Sequence, residues 1–119
     1  MRGLPALVLI SLLFGPLAYA DDQQQEIDHL LGYLADSGCT YIRNGSEHSA
    51  GDAVAHIRKK QRYFANRIDS SERFIELSAS QSTMTGKVYM IRCPGQDEQS
   101  SQSWLLAELA RYRAQEKEQ

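Results

Sequence analysis

Apolar residues occur in two rhythms along this chain, a solid block at the start and spaced stripes after it. Leu4 to Phe14 is uncharged and almost wholly apolar, and Gly15-Pro16 ends it. Beyond it, Ile27, Leu30, Leu31 and Leu34 recur at i, i+3, i+4 and i+7, which places them on one face of a helix. Asp21-Asp22 puts acid at the positive end of that helix, and Gly38 supplies the left-handed residue that stops it. His29 falls opposite the stripe and is expected to be solvent-exposed. Cys39 to Arg43 is short and β-prone and ends at the turn signal Asn44-Gly45. Ser49 and Asp52 form a capping-box-like start to a second helix, on which Ala53, Val54, Ile57, Phe64 and Ile68 share a face while Arg58, Lys59 and Arg62 turn outward.

Asp69 with Glu72 starts a short third helix whose inner side is Phe74, Ile75 and Leu77. A hydroxyl-rich loop, Ser80 to Gly86, leads into a strand from Lys87 to Cys93. Its alternation sets Val88, Met90 and Arg92 on one face and Tyr89, Ile91 and Cys93 on the other. Pro94-Gly95 ends the strand, and Ser100 or Ser101 caps a last helix that turns Trp104, Leu105, Leu109 and Tyr112 inward, with Ala114 to Gln119 expected to fray. The pattern predicts a mainly helical α+β domain of about four helices and a short two-stranded antiparallel ribbon. No internal repeat or linker divides it.

The apolar block changes the reading of everything behind it. Arg2 before the block and Ala18-Tyr19-Ala20 after it compose a cleavable export signal with its cut after Ala20, which leaves 21–119 as one small mature domain. The rival is an uncleaved anchor, for which Leu4 to Ala20 is at the short edge of what spans a bilayer. Pro5, the Gly15-Pro16 break and the small-residue end favour cleavage, and with Asp21 rather than cysteine after the cut no lipid anchor is expected. The leader holds one of the 13 basic residues and none of the 15 acidic ones, so the mature net charge is −3. That balance has no footprint for nucleic acid or an anionic membrane.

In an exported chain two cysteines read as a disulfide, Cys39–Cys93, which closes a long loop in a domain too small to rely on its core alone. Two free thiols, or half of a metal site, are the alternatives. No Cys-x-x-Cys pair and no His at zinc spacing support a metal, and no cofactor motif is present. If Cys39 lies opposite Cys93 on antiparallel strands, Tyr41 falls opposite Ile91 and Arg43 faces Tyr89.

Candidate chemistry centres on the second helix, where His56, Lys60, Tyr63 and Arg67 follow at i, i+4, i+7 and i+11. Such a strip could bind an anion or orient a nucleophile; equally, these amphipathic side chains could cover the core's edge with their heads in water. The hydroxyls of Ser80, Ser82, Thr83 and Thr85 could bond a ligand, or a serine could be activated by His56 with Asp52 orienting it. No Gly-x-Ser-x-Gly elbow accompanies them, and local turn bonding explains the loop as well, with Gly86 in a turn conformation. Gly86-Lys87 lacks the rest of a phosphate loop, and Trp104 among leucines reads as core rather than as a sugar platform.

The segments Cys39 to Gly45, Ala53 to Lys60, Phe74-Ile75 with Ser80 to Tyr89, and Trp104-Leu105 with Tyr112-Arg113 together resemble the YfeK-like family of small exported bacterial proteins, a domain of unknown function. The resemblance spans nearly the whole mature chain. It implies a periplasmic envelope protein and transfers no catalytic role. By analogy it draws attention to Arg43, Asn44, Gly45, His56, Lys60, Ser80, Ser82, Gly86 and Tyr89, to which the loop adds Thr85. The expectation is a non-enzymatic binding or interaction domain, of accessory or inhibitor type, acting on an envelope protein or ligand. The alternative is a small periplasmic hydrolase using His56 with Ser80 or Ser82.

Overall fold

The computed structural model describes residues 15–118. The chain runs α1 (Gly15–Ala35), β1 (Thr40–Arg43), β2 (Ser46–His48), α2 (Ala50–Tyr63), a 3-10 turn (Ala65–Arg67), α3 (Ser71–Ser78), β3 (Met90–Arg92), β4 (Gln99–Ser100) and α4 (Ser101–Lys117). The four helices pack against one another, and α2 and α4 also meet the sheet. Residues 1–14, most of the expected leader, lie outside the described residues. From Gly15 onward α1 passes unbroken through the position of the expected cut, so the helix begins earlier than Asp21, with Pro16 in the first turn, where proline is favoured. Among the described residues no helix is long and apolar enough to cross a membrane.

The expected two-stranded ribbon is instead a four-stranded antiparallel sheet in the order β2-β1-β3-β4. The two added strands, Ser-Glu-His and Gln-Ser, carry no apolar residue, so alternation could not announce them. Backbone geometry makes β2: Asn44 (φ 50°) and Gly45 (φ 81°) are both left-handed and close a two-residue hairpin with Arg43 paired to Ser46.

The predicted register holds at Tyr41↔Ile91, with Thr40↔Arg92 and Ile42↔Met90 on either side. The ladder stops there, and the strand expected from Lys87 to Cys93 contracts to Met90–Arg92. Residues before it pair elsewhere: Ser82 N–H donates to Lys87 O, Tyr89 N–H donates to Ser80 O, and Gln81 bridges Val88. Cys39 and Cys93 form the disulfide, 54 positions apart.

The core follows the stripes. Ile27, Leu30, Leu31 and Leu34 of α1 are buried against Ile57, Phe74, Ile75, Leu105 and Leu109, and Tyr41 and Ile91 close it from the sheet. Tyr41 donates its hydroxyl to Ala79 O at 3.0 Å and lies 2.8 Å from Ser101 Oγ, tying the sheet to the ends of α3 and α4. Tyr41→Phe leaves a buried acceptor (Ala79 O) and a buried donor (the Ser101 hydroxyl) without this partner, and we expect a loss of about 1–3 kcal/mol in urea unfolding. Ser78 Oγ is buried with no hydrogen-bond partner among the described residues. Ser78→Ala should therefore raise stability by about 1 kcal/mol in the same assay.

Helix ends depart from the expected positions by local chemistry. α2 stops at Tyr63, so Ile68 reaches the core's margin from beyond the 3-10 turn, while Phe64 lies between Tyr63 and Arg67 instead. Ser70, not Asp69, caps α3 by accepting from Arg73 N–H, and Ser78 is buried where Leu77 is only half-buried. Ser100 caps α4, which continues to Lys117 through part of the stretch expected to fray. His29 is half-buried rather than exposed: it stacks on Tyr112 at 4.1 Å and donates to the buried carboxylate of Glu108 at 2.6 Å.

Candidate functional site

Three chain segments meet on one side of α2. The hairpin brings Arg43 and Asn44, α2 presents His56, Lys59, Lys60 and Tyr63, and the 80–89 loop closes over them with Ser82, Thr83, Met84 and Tyr89. They line an open pocket of about 380 Å³. The loop is held by its own bonds: Gly86 N–H donates to Ser82 O, Thr85 N–H to Ser82 Oγ, and Gly86 turns the chain at φ 76°. Thr85 Oγ1 then donates to Asn44 Oδ1 at 2.7 Å, pinning the loop to the hairpin.

Lys60 is the floor of the pocket. Only 7% exposed, its ammonium donates to Gln81 O at 2.7 Å and to the Tyr89 hydroxyl at 3.3 Å, and lies 5.0 Å from the Tyr89 ring centre. The same hydroxyl lies 3.3 Å from His56 Nε2. An ammonium can only donate, so the Tyr89 oxygen accepts from Lys60 and can pass its own proton to His56 Nε2. That direction requires a neutral imidazole protonated at Nδ1. The electrostatics agree, since burial, followed by the charges of Arg43, Lys60 and Lys59, pushes the His56 pKa down to about 4. Burial and Arg43 also lower the pKa of Lys60, and burial raises that of Tyr89.

The pocket lining thus contains three basic side chains and no carboxylate. Among the described residues Arg43, Lys59 and Lys60 make no ion pair, although most other arginines of the domain do. Like charges gathered around the buried Lys60 raise the energy of an empty site, and an anion between them lowers it. Asp52 and His48 line a shallower depression next door with Arg43, His56 and Lys59.

Six of the candidate residues therefore come together: Arg43, Asn44, His56, Lys60, Ser82 and Tyr89. Gly45 and Thr85 do not line the pocket; Gly45 turns the hairpin and Thr85 ties the loop to it. Ser80 does not join them; it is buried, and its hydroxyl donates to Ile75 O at 2.7 Å. Gly86 and Arg67 line a separate pocket of about 420 Å³ that also holds Glu76. Arg67 leaves the strip because α2 ends before it, and it lies over Phe64 instead. Ser82 shares the pocket with His56, yet its oxygen accepts from Thr85 and the His56 nitrogen meets Tyr89. Lys59, read as outward-facing, belongs to the site; its i+3 spacing from His56 was the available signal. Met84 had none. Among the described residues no three His, Cys, Asp or Glu side chains cluster as metal ligands.

The model of a family of unknown function (DUF5329) matches residues 21–113. The chain belongs to this family. An uncharacterised protein, YfeK of Salmonella typhimurium, is 38% identical over 85 residues, covering 68% of this chain and 71% of that protein. No solved structure matches. Family membership thus brings no activity with it, and the pocket has to be read from its own chemistry.

Proposed function

We propose that this member of the family is an exported envelope protein, and that its domain recognises an anionic ligand in the pocket between α2, the hairpin and the 80–89 loop without turning it over. One observation carries the reading: Arg43, Lys59 and Lys60 converge on a pocket with no lining carboxylate, around a His56 held neutral. Export is supported by the basic start, apolar block and Ala18-Tyr19-Ala20 end, by the paired cysteines, and by a family match that begins at Asp21. A binding role without catalysis is supported by Ser80, whose hydroxyl is bonded into the core, and by His56, whose Nε2 meets the Tyr89 hydroxyl rather than Ser82.

Titration of the protein recovered from the periplasm with inorganic phosphate, followed by NMR, tests the pocket. Signals of Arg43, His56, Lys59 and Lys60 should move at millimolar concentration, and the His56 pKa should rise as the anion fills the site, since binding and protonation are linked. Lys59→Glu should weaken binding about tenfold, an amount equal to one close charge contact. Unmoved pocket signals would remove the reading. N-terminal sequencing of the same sample should begin at Asp21; a chain beginning at Met1 would refute cleavage.

A further inference from the structure

The pocket's chemistry does not stop at its cations. Tyr63 is 78% exposed and Met84 94% exposed, and both line the same opening. Met84 stands at the tip of a loop fixed by its own hydrogen bonds, Ser82 to Lys87, Gly86 to Ser82, Thr85 to Ser82 and Lys87 to Thr85, and by the Thr85–Asn44 bond, so it is presented to solvent by a built support. At 94% exposure its thioether does not cover the cavity. A small anion seated on Lys60 would leave it, and the outer face of Tyr63, as wet as before. Only an occupant that extends beyond the cavity can bury them.

Tyr, Met and Arg are residues that protein interfaces concentrate. Resting on the anion-binding reading above, we infer that the occupant is a segment of another protein that inserts an Asp or Glu side chain between Arg43, Lys59 and Lys60 and lays a neighbouring apolar or aromatic side chain across Met84 and Tyr63. The charge of the pocket chooses the acidic residue, and the exposed rim chooses its neighbour. A free anion explains the first feature alone. Both features together fit a peptide segment.

Selection of a displayed random twelve-residue library on the exported protein tests this, with winning sequences remade as synthetic peptides and inorganic phosphate as a parallel ligand. Enriched peptides should carry Asp or Glu within two positions of an aromatic or large aliphatic residue. Met84→Ser, at a position too exposed to affect folding, should weaken those peptides about fivefold to tenfold, several times more than it weakens phosphate. Lys59→Glu should weaken both ligands. Peptide affinity that ignores Met84→Ser and Tyr63→Ser, or a selection that enriches no acidic sequence, would overturn the inference while the phosphate result stood. Phosphate binding that ignores Lys59→Glu would overturn the pocket reading beneath it.

Discussion

Replacing Cys39 and Cys93 by serine should lower the unfolding free energy by about 4 kcal/mol. The bridge spans 54 positions, a loop that contains α2, α3 and every segment of the pocket. In the chain-entropy model, cross-linking a loop of that length removes about 4 kcal/mol of freedom from the unfolded state. Small domains have only about 5–15 kcal/mol in total. The urea midpoint of the double-serine variant, or of wild type under reductant, should therefore fall by about a quarter or more. An unchanged midpoint would show that the bridge is incidental. The cysteines flank the Tyr41–Ile91 pairing, so weakened protection should appear first at those strand amides.

Acidification should destabilise the domain in two stages. His56 takes a proton at about pH 6.5 in an unfolded chain and only near pH 4 in the fold. Between those values the unfolded state holds more protons, so stability falls as the pH falls. Because the ring is partly exposed, the loss is expected to be about 1–2 kcal/mol rather than the full value of the shift. The second stage belongs to carboxylates. Arg113 holds Glu26 and Glu72 below their ordinary pKa, and Arg111, then His29, do the same for Glu108. The stability they contribute is complete above about pH 4.5 and is lost as the pH drops through their folded values. His56→Gln should flatten the first stage and leave the second. Urea midpoints measured from pH 7 to pH 3 separate the two, and an identical curve for the variant would rule His56 out as the first-stage group.

Much of this was legible in the sequence because apolar periodicity and covalent pairing act locally or in one long step. The α1 stripe gave the first helix its buried face, and the cysteine pair set Tyr41 against Ile91, and through it the sheet's central register. What stayed hidden depended on backbone or on neighbours distant in sequence. β2 is polar throughout and exists because Asn44 and Gly45 accept left-handed conformations. Lys59 looked like one more cation on a solvated helix face, and only the 80–89 loop folding over that face makes it part of a site. His29 met Glu108 across 79 positions, which no spacing rule along one helix could reveal. The Ser80 hydroxyl looked available until the end of α3 placed the Ile75 carbonyl beside it.

Tyr89 gives the domain a way to report occupancy at a distance. Its hydroxyl belongs to the pocket, while its amide donates to Ser80 O at the exit of α3 and its carbonyl accepts from Ser101 N–H at the start of α4. Its ring also leans on Tyr41, at 5.7 Å between centres. Fixing the hydroxyl end should slow the excursions that break those two backbone bonds, so hydrogen exchange at the Tyr89 and Ser101 amides should slow when the pocket fills. The core would then act as a slow clock for a site on the surface, legible even for a ligand too weak to isolate.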